Sequence, residues 1–277
     1  MSLAFVHAHD CSDPHTEAVW GISWTANDTI VSVSADGSVK QFVAASGQPS
    51  TASMPPPHTL GQVSLSVTRD GSRALCNTVE GVTSLVDLGT GEVLGKHESY
   101  VRDQSGTSDE DGGPSWSVSL HPDGTTYAAS GSGGKVVIYS AQADSFGKQV
   151  AKFSTGRSKY GMFCQYSPDG KRVALASETG QIYVFDVEQA ALSATFTSHA
   201  LAVRSLVWSA DSNLLLSASE DKRLALHDVR DTGGPSGGAF ATFIGHSSWA
   251  LSVDISQDSR LALSGQAFHP PSIVTHH

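Results

Sequence analysis

Basic side chains are scarce in this 277-residue sequence. Lysine and arginine total 17, aspartate and glutamate total 27, and the formal net charge is −10. A broad phosphate-binding surface needs an excess of lysine and arginine, so this balance argues against nucleic acid as a direct ligand. Only 16% of the residues are charged and 39% are hydrophobic, which is typical of a globular chain rather than a disordered one.

Cysteine and long apolar runs are also scarce. Cys11, Cys76 and Cys164 lie far apart and form no C-x-x-C pair, which argues against a disulfide framework and a zinc finger. No apolar run approaches the roughly 20 residues that span a bilayer. The first residues, MSLAFVHAHDCSDPH, lack the basic and apolar regions of a secretory signal, so we expect the protein to stay inside the cell.

Helical patterns are nearly absent, and one β-type unit recurs six times. Each copy joins an alternating apolar strand to a polar tight turn. The six copies are VWGISWTAND, QVSLSVTRDG, SWSVSLHPDG, MFCQYSPDG, VRSLVWSADS and LSVDISQDS. The last apolar residue before each turn is Trp24, Val67, Leu120, Tyr166, Trp208 and Ile255. These positions are 43, 53, 46, 42 and 47 residues apart.

That period predicts an all-β β-propeller, because a four-stranded blade takes about 40 to 45 residues. The blades are expected near residues 15–46, 58–94, 114–142, 155–192, 199–231 and 246–265. The acidic loop 100–114 and the proline-containing stretch 47–58 are read as connections inside one domain, residues 1–265. Residues 266–277 are read as a non-repeat tail, because Pro270 and Pro271 fall where a third strand is due.

The arrangement resembles the WD-repeat family. Its motif places a His before the first strand, an Asp in the turn between strands two and three, and Trp-Asp at the end of strand three. The fifth repeat carries His199, Asp221 and, in the Trp-Asp position, His227-Asp228. That last slot is filled elsewhere by Phe42, Val86, Tyr139 and Phe185, so no true Trp-Asp pair is present.

By this resemblance, several His and Asp residues are structural and tie an outer turn to an inner strand by a charge-assisted hydrogen bond. They are His15, Asp36, His58, His199, Asp221 and His246. The segments AVW, SPDG, IYVFDV and GHSSW, in this order, narrow the resemblance to the WD-repeat subunit of the superkiller complex. A WD-repeat subunit of the polymerase-associated factor complex is also similar.

Relatives of this subgroup have seven blades, whereas about five and a half are encoded here. The resemblance therefore implies that about one and a half repeats are missing. An uncovered blade face of about 500 Å² forfeits roughly 12 kcal/mol at ~25 cal/mol per Å². We therefore expect an isolated open ring to be unstable, with an exposed face that invites aggregation or pairing with another chain.

The start of each first strand is the place where a propeller presents partner-binding residues. Aligned repeats put aromatic, Arg and Met side chains there, and aromatic and Arg residues are the usual hot spots of interfaces. The candidates are Trp20, Trp116, Tyr160, Met162, Arg204 and Trp249. Packing between blades is the alternative role for these aromatics. Glu178 and Glu220 precede the turn position in neighbouring repeats and are candidates to accept a partner's arginine, or are merely solvated.

Signs of enzyme chemistry are weak, since no nucleophile elbow, phosphate-binding loop or dinucleotide fingerprint occurs. Two groups of residues could in principle hold a metal, but no rigid scaffold fixes three or four ligands in either, so we expect no cofactor and no metal. The groups are His7, His9, His15, Asp10 and Asp13, and His269, His276 and His277.

The sequence thus favours a non-catalytic scaffold for protein partners. The resemblance implies a helical-repeat scaffold and an RNA helicase as partners, a role in exosome-dependent 3′-to-5′ mRNA decay, and a cytoplasmic and nuclear location. Relatives also serve in meiotic recombination or transcription elongation. The alternative is a propeller enzyme or small-ligand binder that uses polar groups in a central channel.

Overall fold

The computed structural model describes residues 7, 9–99, 114–157, 159–230, 238–267 and 272–275. Apart from a 3₁₀ turn at Ser132–Gly134, every regular element in these ranges is a β-strand. The strands form six sheets in chain order, which we call blades 1 to 6. The all-β propeller architecture expected from the repeats is confirmed. The loop expected at 100–114 lies outside the described residues except for Pro114.

Blades 1 to 3 follow one another along the first half of the chain. Blade 1 contains β1 (Val19–Trp24), β2 (Thr29–Ser34) and β3 (Val39–Val43). Blade 2 contains β4 (Gln62–Val67), β5 (Arg73–Thr78), β6 (Val82–Asp87) and β7 (Val93–Glu98). Blade 3 contains β8 (Ser115–Leu120), β9 (Thr126–Gly131), β10 (Lys135–Ser140) and β11 (Gln149–Ser154).

Blades 4 to 6 repeat the same order. Blade 4 contains β12 (Gly161–Tyr166), β13 (Arg172–Ser177), β14 (Ile182–Asp186) and β15 (Ala191–Phe196). Blade 5 contains β16 (Val203–Trp208), β17 (Leu214–Ser219), β18 (Arg223–Asp228) and β19 (Ala241–Ile244). Blade 6 contains β20 (Ala250–Ile255), β21 (Leu261–Gln266) and β22 (Ser272–Thr275).

Strand β22 is a difference from the expected non-repeat tail. Residues 272–275 pair antiparallel with β21, from Ser264↔Ser272 to Leu261↔Thr275. The strand sequence SIVT is rich in β-branched residues, which favour strands. Pro270 and Pro271 precede this strand in the sequence, so they remove no donor from its ladder.

The chain divides into two compact units, residues 1–129 with 138–150, and residues 130–137 with 151–277. In the first unit, β1 lies against β4, and β4 lies against β8. Val31 and Val33 of blade 1 are fully buried there against Ala74 and Cys76 of blade 2. Alternation along each strand supplies this core, because every second side chain points to the neighbouring blade.

The second unit is built in the same way. Strand β12 lies against β16, and β16 lies against β20. One cluster joins blades 4 and 5 through Val184, Leu206 and Trp208, and another joins blades 5 and 6 through Leu216 and Val253. Within each unit, the first strand of a blade therefore packs on the sheet of the blade before it, as in blades 2, 3, 5 and 6.

Among the described residues, no helix has the length and hydropathy needed to cross a membrane.

Candidate functional site

A shift in strand register recurs at the same place in five blades. The pairing of the first two strands jumps between Val19 and Gly21 in blade 1, and it jumps in the same way in blades 2, 4, 5 and 6. The residues skipped by these shifts are Trp20, Val63, Met162, Arg204 and Leu251. A β-bulge turns a side chain away from the regular alternation, so the backbone itself sets these side chains apart.

The first unit brings two of the candidate residues together. The rings of Trp20 and Trp116 meet edge to face, with centroids 6.3 Å apart and an interplanar angle of 88°. Trp20 is exposed and Trp116 is half-buried. An edge-to-face pair fixes both indoles without consuming the outer face of Trp20. The pair therefore offers a rigid, partly apolar surface.

The candidate carboxylates of the second unit accept hydrogen bonds from this chain itself. Arg204 donates to Glu220 through Nε at 2.7 Å and also through Nη2. The Tyr160 main-chain N–H donates to Glu178 Oε1 at 3.1 Å. Glu178 and Glu220 were candidates to accept a partner's arginine. In the structure, both already accept hydrogen bonds from this chain. Arg204 is likewise held in an ion pair rather than offered freely.

The other candidates of the second unit differ in exposure. Trp249 is exposed, Met162 is half-buried, and Tyr160 is half-buried, with burial raising the pKa of its phenol. Leu251, two residues after Trp249 in the chain, is also exposed. A shallow pocket of about 380 Å³ lies in blade 5 between the 198–201 segment and the 220–223 turn.

A hydrogen-bonded chain crosses blade 5 from the turn to the inner strands. His199 Nδ1 lies 3.0 Å from Asp221 Oδ2, and His199 Nε2 lies 2.8 Å from Ser217 Oγ. Because a carboxylate can only accept, Nδ1 donates to Asp221. The Ser217 hydroxyl has one proton and lies within donating distance of both His199 Nε2 and the Ala225 carbonyl oxygen, the latter at 3.0 Å. His227 Nε2 lies 3.4 Å from the same Ser217 hydroxyl. The Ala200 main-chain N–H also donates to Asp221, at 3.1 Å.

Burial has a large effect on the protonation states of the side chains in this hydrogen-bonded chain. Burial lowers the pKa of His199, against the opposing pull of Asp221. Burial alone would raise the pKa of Asp221, but the Ala200 N–H and the neighbouring His199 outweigh it and lower the pKa. Burial, with His199 beside it, lowers the pKa of His227 to about 3. At neutral pH the chain therefore holds an ionised Asp221 and two neutral imidazoles.

Blade 1 contains the same arrangement with one change. His15 Nδ1 lies 3.2 Å from Asp36 Oδ2, and His15 Nε2 lies 2.7 Å from Ser32 Oγ. The pKa of Asp36 is lowered, since hydrogen bonds from Ser38 outweigh the effect of burial. Phe42 stands where blade 5 has His227, so the chain ends at Ser32.

The leading His of blades 2 and 6 makes different hydrogen bonds from those in blades 1 and 5. His58 Nδ1 accepts from the Leu60 main-chain N–H at 3.1 Å, and Cys76 replaces the serine of the other blades. His246 Nε2 lies 2.8 Å from Ser264 Oγ, as in the complete chains. Gln266 Oε1 accepts from the Ser247 N–H at 2.8 Å, which is the role that Asp221 plays in blade 5.

Sequence reasoning missed three of these features. The serines Ser32, Ser217 and Ser264 follow the leading His by 17 residues in blade 1 and by 18 residues in blades 5 and 6, and that nearly constant spacing is a usable signal. Gln266 gave no such signal, because it lies two positions before the place of the turn Asp. The bulges also gave none, since no residue type marks them.

No metal cluster is evident in the part of the chain that the structure describes. Within it, no group of three or more His, Cys, Asp or Glu side chains could hold an ion. His7 Nε2 lies 3.0 Å from Asp10 Oδ1 in an exposed pair. His269, His276 and His277 lie outside the described residues.

Comparison with known proteins finds one family model that matches two segments of the chain. The family model of the WD domain, G-beta repeat (WD40), matches residues 8–42 and 191–228. These segments belong to blades 1 and 5 and to the end of blade 4, and they contain both His–Asp pairs.

Three curated proteins are similar over most of this chain. The meiotic recombination protein rec14 of Schizosaccharomyces pombe is 23% identical, over 83% of this chain and 72% of its own length. The WD repeat-containing protein SL1-17 of Schistosoma mansoni is 26% identical, over 78% and 68%. The WD repeat-containing protein VIP3 of Arabidopsis thaliana is 26% identical, over 73% and 61%. These matches and the six repeated sheets support a similarity of this chain to WD40-repeat proteins.

Proposed function

We propose that this protein is a non-catalytic scaffold that binds short segments of partner proteins at the start of its first strands. WD40 propellers generally act as protein-interaction scaffolds. The observation that carries the proposal is the recurrent bulge, which presents Trp20 in the first unit and neighbours exposed Trp249 in the second.

The chemistry of these positions suits a peptide. Trp20 is exposed and supported from the side by Trp116, so its ring is already ordered before a partner arrives. Trp249 and Leu251 add exposed apolar surface in the second unit. Ordered aromatic side chains lose little entropy on binding, which is why they dominate interface energetics.

Two cellular settings follow for this scaffold. The segments AVW, SPDG, IYVFDV and GHSSW support a place in the superkiller complex, with a helical-repeat subunit and an RNA helicase as partners in exosome-dependent mRNA decay. The name of the rec14 relative supports a role in meiotic recombination. Both roles match a cytoplasmic and nuclear distribution, and a role in transcription elongation belongs to the same proposal.

Affinity capture from the cells that make the protein tests the proposal. The tagged full chain should retain the helical-repeat subunit and the helicase, identified by mass spectrometry. The variant Trp249→Ala should retain less than a tenth of each, since a hot-spot residue costs about 2 kcal/mol or more when truncated.

Phe240→Ala is the matched control. Phe240 is also an exposed aromatic residue of blade 5 but lies next to β19, away from the first strands. This variant should capture the partners as well as the parent does. Full retention of both subunits by a folded Trp249→Ala protein would contradict the proposed site. Capture of meiotic proteins instead would favour the second setting.

A further inference from the structure

The pocket of blade 5 carries positive charge on its rim. Lys222 and Arg223 line this pocket, and both side chains are exposed. Neither side chain forms an ion pair or a hydrogen bond with any residue that the structure describes. The rest of the chain is acidic, with a formal net charge of −10. A local excess of positive charge attracts a ligand of opposite charge.

The two carboxylates of the pocket are already occupied. Asp221 accepts hydrogen bonds from His199 Nδ1 and from the Ala200 main-chain N–H, and its side chain is only 9% exposed. Glu220 accepts from Arg204. With the ion-pair partner of Glu220 included, the site has three cations and two carboxylates, which leaves a charge of +1 available to a ligand.

The turn that holds these cations does not itself need a lysine. Lys222 has a φ of +70°, in a region that glycine enters more easily than any residue with a Cβ. The equivalent residues of blades 1, 2 and 4 are Gly37, Gly81 and Gly180, with φ between +80° and +87°. In all four turns, the N–H of this residue donates to the carbonyl three residues earlier. Glycine would form the same turn with less strain, so the lysine side chain has a role other than shaping the turn.

The remaining lining of the pocket suits an apolar side chain and a hydrogen-bond acceptor. Leu201 lines the pocket with 48% of its surface exposed. Ser198 lines it as well, and its hydroxyl has no partner among the described residues, so a ligand that brings an acceptor is favoured. The volume of about 380 Å³ is near the lower end of the ~300–1,000 Å³ of ligand pockets, which suits one or two side chains of a partner.

We propose that this pocket binds an acidic segment of a partner protein, with a carboxylate between Lys222 and Arg223 and a neighbouring apolar side chain against Leu201. The inference rests on the proposed function and adds the chemistry of the partner. Exposed ion pairs are weak and are screened by salt. We therefore expect a modest preference for acidic peptides that decreases as the salt concentration rises.

Peptide binding to the purified full chain tests the inference. The probes are fluorescein-labelled octapeptides in which a leucine stands next to one or two aspartates, and matched peptides with asparagine in place of each aspartate. Fluorescence anisotropy should show that the aspartate peptides bind roughly fivefold more tightly at low salt. This preference should largely disappear in about 0.5 M salt.

The variant Lys222→Gly separates a binding role from a structural one. It removes one cation and relieves the backbone of the turn, so the aspartate peptides should bind roughly threefold more weakly while the melting temperature does not fall. Lys171→Ala is the matched control, because it removes an exposed lysine from the turn between β12 and β13, outside the pocket. This control should bind the aspartate peptides as the parent does.

Four results would overturn the inference. They are equal affinity for the aspartate and asparagine peptides, unchanged binding by Lys222→Gly, a lower melting temperature of that variant, and an equal loss of binding in Lys171→Ala. The last result would show an effect of net charge rather than of the pocket. The assay contains no cellular partner, so its failure leaves the capture experiment with Trp249→Ala intact as the separate test of the proposed function.

Discussion

Acid should destabilise this protein through His227, and replacing that residue should relieve the effect. His227 is fully buried beside Phe196, with ring centroids 4.6 Å apart. Burial lowers the pKa of His227 from 6.5 to about 3 in the folded state. As the pH falls, the unfolded chain takes up the proton first. The stability is therefore complete above about pH 6.5 and is lost progressively between pH 6.5 and about pH 3.

The size of the effect follows from the two pKa values. At pH 5 the pH lies about 1.5 units below the pKa of the unfolded state and still above that of the folded state. At ~1.4 kcal/mol per unit, the free energy of unfolding is therefore lower by about 2 kcal/mol. His227→Phe removes this loss. The equivalent slots of blades 1 and 4 already hold Phe42 and Phe185, so the larger ring suits the position. At pH 7.5 the variant gives up the 3.4 Å contact with Ser217 and the hydrogen bond with the Gly238 backbone.

Melting temperatures at pH 7.5 and pH 5.0 provide the assay. The parent should lose more on acidification than His227→Phe does, by about 4–8 °C, since 1 kcal/mol moves the melting temperature by ~2–4 °C in a protein of this size. The reciprocal variant Phe185→His should add acid sensitivity in blade 4. An equal drop for the parent and His227→Phe would refute the account of a buried neutral imidazole.

Two further pairs of substitutions test local geometry. Gly180→Ala should lower the free energy of unfolding by more than 2 kcal/mol, because the φ of Gly180 is +87° and a Cβ there would lie 2.3 Å from the His199 carbonyl oxygen. Gly156→Ala should lower it by only about 1–2 kcal/mol, because Gly156 has a φ of +71° but open space around it. Similar losses for the two variants in urea unfolding would contradict this reasoning. Trp208→Phe should cost about 1–2 kcal/mol because it leaves the partly buried Gln165 carbonyl without its indole donor. Trp24→Phe should cost under 0.5 kcal/mol in the same assay because Trp24 is exposed, and a larger loss at position 24 would contradict that exposure.

The sequence determined the fold of this protein to a large extent. Alternating apolar residues followed by tight-turn signals are local features, and they favour a strand and a turn in each repeat. Their recurrence six times therefore predicted six sheets and the order of strands within them. The sequence does not predict the third strand of blade 6, because Pro270 and Pro271 fall where that strand is due, whereas the strand begins just after them, at Ser272.

The candidate site depended on tertiary structure instead. Trp24 and Trp208 occupy the same position in their repeats, yet Trp24 is exposed and Trp208 is buried, because Trp208 packs on the sheet of blade 4. Glu220 looked free, and its pairing with Arg204 became visible only when two strands were brought side by side. Local pattern decides which residues form a strand, whereas the neighbouring sheet decides which of their side chains remain available to a partner.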